Sequence, residues 1–83
     1  MTPVQIWQAA QGELQMQLSA ATFNAFVKRT YVTDHVDGKL IIVVEDDRMK
    51  AWFENNLSMS VNRILTGIVG QPYTAEYVVG RPA

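Results

Sequence analysis

The chain has 83 residues, with 7 basic against 8 acidic side chains, a formal charge of -1, one histidine and no cysteine. That length holds one small domain and leaves no room for a nucleotide-hydrolysing core beside anything else. The near-zero charge withholds the non-specific phosphate attraction on which duplex-binding proteins rely. The missing cysteines exclude a disulfide framework, a zinc knuckle and a thiol nucleophile.

Surface scaling for this size leaves roughly 5,000 of about 13,500 Å² exposed, which is enough burial for a thin core. The hydrophobic share of 48% beside 18% charged residues is globular composition. The N-terminal segment has neither a basic start nor a long apolar run, so it does not read as a signal peptide. The longest apolar run, Leu40 to Val44, is far too short to span a bilayer. A reducing, cytoplasmic setting without membrane contact is the expectation.

Thr2, Pro3 and Gln5 form a helix start, with a cap, a first-turn proline and the second half of a capping box. A helix over about 3–17 follows, with Ile6, Trp7, Ala10, Leu14 and Leu18 on one stripe. Ile6 and Trp7 stand at its very beginning, where a small domain rarely covers two large side chains, so Trp7 reads either as core edge or as an exposed anchor. Ala9, Gly12 and Met16 make a weaker patch on the other side.

Ser19 caps a second helix over about 20–29, with Phe23, Phe26 and Val27 at buried-face spacing. From Tyr31 the period changes to two, and Asp37-Gly38 between two β-rich runs marks a hairpin. Asp46-Asp47 opens one long third helix whose stripe runs through Met49, Phe53, Leu57, Val61, Ile64, Leu65 and Ile68, widened by Trp52. Gly67, Gly70 and Pro72 end it, and Tyr73 to Val79 alternates as a last strand. The order is α-α-β-β-α-β, with residues 1–80 as one domain and 81–83 as the start of a linker or a frayed end.

Little in this pattern carries chemistry. His35 stands alone beside the hairpin turn without a nucleophile to serve. Glu45-Asp46-Asp47 lacks the spaced oxygens and turn glycine of a calcium loop and reads as helix capping. Gly67-Ile68-Val69-Gly70 matches the backbone clamp of KH domains, but its apolar filling and the strand after it favour a helix stop. Phe23, Phe26, Trp52 and Phe53 read as core. No catalytic set, metal site or cofactor site emerges, and no small-molecule substrate is implied.

Several segments in order resemble the N-terminal domain family of the bacterial replication initiator DnaA: Ile6-Trp7-Gln8, the stretch Leu18 to Lys28, Asp47 to Trp52, Leu57, and Val61 to Leu65. The resemblance runs over about 4–80. It implies a KH-like α+β fold, a three-stranded sheet packed by a helical hairpin and one long helix, with a non-enzymatic role in protein contact. The implied partners are other initiator copies in a weak homo-oligomer, the replicative helicase and initiator-regulating proteins, with at most weak single-stranded DNA affinity.

Trp7 matches the family's self-association aromatic. The expected partner-binding residues are Ile6, Trp7, Thr22, Asn24, Asp47 and Met49. Thr22 stands where the family often has an acid, and Asp47-Arg48-Met49 where it has Asn-x-Phe. A KH-type single-strand binder using Lys28, Arg29, Lys39, Arg48 and Lys50 is the alternative.

Overall fold

A computed structural model describes residues 2–80; the expected linker at 81–83 lies outside the described residues. Helix α1 spans Pro3–Gln17 and opens on the reciprocal box read from the sequence: the Gln5 amide donates to Thr2 Oγ1 at 3.1 Å and the Thr2 amide to Gln5 Oε1 at 3.0 Å. Ser19 caps α2, Ala20–Ala25, by accepting from the Thr22 amide at 3.2 Å.

The second helix is shorter than its pattern predicts. It stops at Ala25, Phe26 leaves helical geometry, and Val27–Arg29 form a 3₁₀ turn. The tighter turn carries Val27 inward, where it is fully buried, and the Thr30 hydroxyl locks it by donating to the Val27 carbonyl at 2.7 Å.

Strands β1, Tyr31–Val36, and β2, Lys39–Val44, form the expected hairpin, with positive φ at both Asp37 and Gly38. The register slips between Val32 and Asp34, leaving Thr33 as a bulge on the edge strand.

The expected single long helix is two helices, α3 over Asp47–Asn56 and α4 over Ser58–Val69, broken at Leu57. Asn55 and Asn56 are poor helix formers, and the Asn56 side-chain amide donates to the Trp52 carbonyl at 2.9 Å, competing with the backbone ladder. The Leu57 and Val61 amides keep their bonds four residues back, so the break is a bend and both apolar stripes still face the core. Gly70 ends α4 in the left-handed region at φ 84°, so the Gly67-x-x-Gly70 segment is a helix stop. Strand β3 is Thr74–Val79.

The sheet order is β1-β2-β3, with β2 antiparallel to β1 and parallel to β3. Leu40, Ile42 and Val44 of β2 and Tyr77 of β3 join the core with Leu14, Val27, Phe53, Val61 and Leu65. Ile41 and Val43, which point the other way by strand alternation, do not. The helices therefore cover one face of the sheet, giving an α+β domain of two layers. Its exposed surface of 5221 Å² is close to the figure scaling predicts.

After β3 the Gly80 amide donates to the Val44 carbonyl at 3.0 Å, and the chain passes so close to β2 that a Cβ at this position would lie 2.9 Å from Val43 Cγ1. Val43 is β-branched and buried, so it has little freedom to yield. Gly80→Ala should lower stability by about 1–3 kcal/mol in urea unfolding. Adding Val43→Ala should make the second substitution nearly free, a coupling that independent sites would not show.

Candidate protein-interaction surface

The six side chains expected to meet partners separate into two groups. Ile6, Trp7 and Met49 are buried at 7%, 3% and 6% exposure. Asn24 and Asp47 are exposed, and Thr22 is half-buried with its hydroxyl held by Ser19 Oγ at 2.9 Å.

Trp7 is thus no open anchor. Its indole Nε1 donates to Thr30 Oγ1 at 2.9 Å, and the Thr30 hydroxyl in turn donates a hydrogen bond to the Val27 carbonyl, which also accepts from Gln11 Nε2 at 3.1 Å. A tryptophan is buried readily once its one donor is satisfied. Here a residue 23 positions away in sequence supplies the acceptor, which helix spacing could not reveal. Met49 is carried inward because Asp46 caps α3 by accepting from the Met49 amide at 2.8 Å, turning that side chain toward the core.

What does reach the surface between α2 and α3 is an aromatic pair. Phe26 and Trp52 stack with ring centroids 4.0 Å apart and planes 7° from parallel, and both are half-buried. The stack continues inward, with Trp52 edge-on to Phe53 at 5.2 Å and Phe53 against Tyr77 at 5.0 Å. It joins the end of α2, which bears Asn24, to the helix that opens at Asp47. Spacing placed Phe26 and Trp52 in the core. The available signal was their position at the rim of each stripe, where Trp52 only widened the apolar sector.

The cations form no single patch. Arg29 is committed to Glu45 through a fork, Nη2 to Oε2 at 3.0 Å and Nε to Oε1 at 2.6 Å, which pins the 3₁₀ turn to the loop before α3. Both side chains are half-exposed, so the pair contributes at most about 1 kcal/mol. Lys28 and Arg48 are exposed and Lys50 is half-buried, with Glu45, Asp46 and Asp47 exposed on the same stretch of chain as Arg48 and Lys50. His35 is exposed on β1, and the described residues contain no group of three or more His, Asp or Glu side chains placed to hold a metal.

Two substitutions test these assignments. Trp7→Phe keeps most of the ring but loses the indole donor, and it should cost about 1–3 kcal/mol in urea unfolding. Its sedimentation behaviour should stay that of the parent, since an interior tether has no partner to lose. Tyr77 carries a buried hydroxyl without a partner, and burial, with a smaller contribution from Glu54, raises its phenol well above the ordinary value. The unfolded chain then releases this proton near pH 10 while the folded chain keeps it, so stability falls as pH rises from there toward the folded value. Tyr77→Phe should therefore be neutral or stabilising at pH 7, and should lose less stability than the parent in urea melts run above pH 10.

No family model matches the chain. A curated relative is the chromosomal replication initiator protein DnaA of Synechococcus sp. (strain JA-2-3B'a(2-13)), 28% identical over 75 residues. The matched stretch is 90% of this chain and 16% of the relative, so the chain spans about one-sixth of that protein's length. The chain is DnaA-like over nine-tenths of its length.

Proposed function

We propose that the chain is a non-enzymatic protein-interaction module of replication initiation. The observation that carries this reading is the similarity to DnaA, which runs over 90% of the chain, and so over both the helical layer and the sheet, rather than through one motif. The surface fits the role. The Phe26–Trp52 stack offers a flat, half-open aromatic surface of the kind that anchors protein contacts, and Asn24 and Asp47 on the joined helices supply polar groups around it. A net charge of -1 suits recognition of proteins better than of phosphate backbones.

The partners in this reading are the initiator itself, the replicative helicase and proteins that regulate the initiator. Thr22 and Asp47-Arg48-Met49 occupy the two places where the resemblance leads one to expect an acid and Asn-x-Phe. Because Met49 is buried, Asn24 and Asp47 carry the polar part of the contact.

The test is biolayer interferometry of the chain against immobilised initiator and helicase from its own organism. The unmutated chain should bind at least one of them, and Asn24→Ala combined with Asp47→Lys should weaken binding at least about tenfold. The circular dichroism spectrum of the double variant should match the parent. Failure of the unmutated chain to bind either protein would remove the reading.

A further inference from the structure

We propose that the open face of the sheet is a self-association surface, on which a second copy of the chain docks sheet against sheet about a two-fold axis running across the strands. This rests on the reading of the chain as a module that meets other copies of itself. With Trp7 buried at 3% exposure, that contact needs another surface. The helices cover the face bearing Leu40, Ile42 and Val44, and nothing among the described helices covers the other.

Register and alternation place three rows of side chains on that outer face. Val43 stands between Tyr31 and Val78 and is itself covered by its neighbours, Ile41 stands half-buried between Asp34 and Glu76, and Lys39 stands between Val36 and Thr74. Tyr31 and Val36 are 40% and 50% exposed, large apolar side chains on a face without a layer over it.

The charges choose both the occupant and the orientation. Lys39, Asp34 and Glu76 have no ion-pair partner among the described residues, where Arg29–Glu45 is the one pair formed. A two-fold axis between the Ile41 and Lys39 rows sets the lysine of each copy against the acidic row of the other, twice over. A two-fold along the strands would instead oppose Asp34 to Glu76 and Lys39 to Lys39, which like-charge repulsion disfavours. A surface that carries its own complement under one rotation is what an isologous dimer requires.

The size sets the strength. Three six-residue strands make a face about 20 Å by about 14 Å, roughly 300 Å². That is well below the about 800 Å² per partner of a standard stable interface. The dimer is accordingly transient, salt-sensitive and populated only at high concentration.

Sedimentation velocity of the chain from micromolar to millimolar concentration, at low and high salt, tests this. The parent should associate reversibly and less at high salt. Ile41→Glu and Lys39→Glu should each weaken association at least about tenfold, and mixing Lys39→Glu with Asp34→Lys/Glu76→Lys should restore a dimer that neither forms alone. Dilution-dependent amide shifts of the unmutated chain supply a measure that needs no variant, and they should concentrate on Asp34, Ile41, Lys39 and Glu76. A parent that stays monomeric throughout overturns the surface and self-association together. Association that ignores the face variants, or shifts that map elsewhere, overturns the surface alone.

Discussion

A chain this short can cover only one face of its sheet, and the rest of the structure follows from that constraint. Two layers are the minimum that buries an apolar face. Here the helical layer is spent entirely on the face of Leu40, Ile42, Val44 and Tyr77. Most of the large apolar side chains of the helices are drawn toward it, with Met16 and Met59 left exposed, because a thin core has no spare volume to leave unfilled. The 3₁₀ turn that swings Val27 inward, the bend at Leu57 that keeps both apolar stripes on the sheet, and the cap that turns Met49 inward all serve this one burial.

The same constraint relocates the candidate contact residues. A tryptophan in the first turn of a helix looks like an anchor when the helix is considered alone. In this fold it sits over the turn that launches β1, and the Thr30 hydroxyl completes its hydrogen bonding. The core thus takes Trp7 and gives up Phe26 and Trp52 at its margin, stacked on each other because neither can be fully covered. Their stacking keeps each ring partly shielded from water without a partner, and it holds the pair rigid, so a protein docking there loses little side-chain entropy.

Features written in neighbouring residues were legible in the sequence. The Thr2–Gln5 box, the Ser19 cap, the Asp37-Gly38 hairpin and the Gly70 stop each depend on groups within three or four positions, and each stands where spacing put it. The misplaced features depend on distant groups or on competition between similar energies. Trp7 needs Thr30, and no local pattern connects them. The single long helix failed at Leu57, where the two asparagines just before it tipped a marginal balance that the continuous apolar stripe had concealed. That β3 would lie parallel to β2, leaving β1 and β3 as edges, is likewise a matter of long-range pairing. The alternation along each strand showed which residues share a face, but not that one face would stay without a layer.

Charge ties the two surfaces together. In the proposed role partners must be released as well as bound, and weak contacts with built-in orientation suit that better than large apolar ones. The sheet face is small, and its polarity comes from rows of opposite sign rather than from apolar area. The surface between α2 and α3 presents a narrow aromatic stack beside isolated polar groups. Neither concentrates enough positive charge to hold nucleic acid without sequence preference, and the Arg29–Glu45 fork removes one of the few cations that could contribute. Because the surfaces lie on different layers, the open sheet and the helical shoulder, a partner on the shoulder would leave the sheet face accessible. Occupation of one surface and pairing through the other are then sterically independent, so under the proposed reading two copies of the chain could pair while each still carries its own partner.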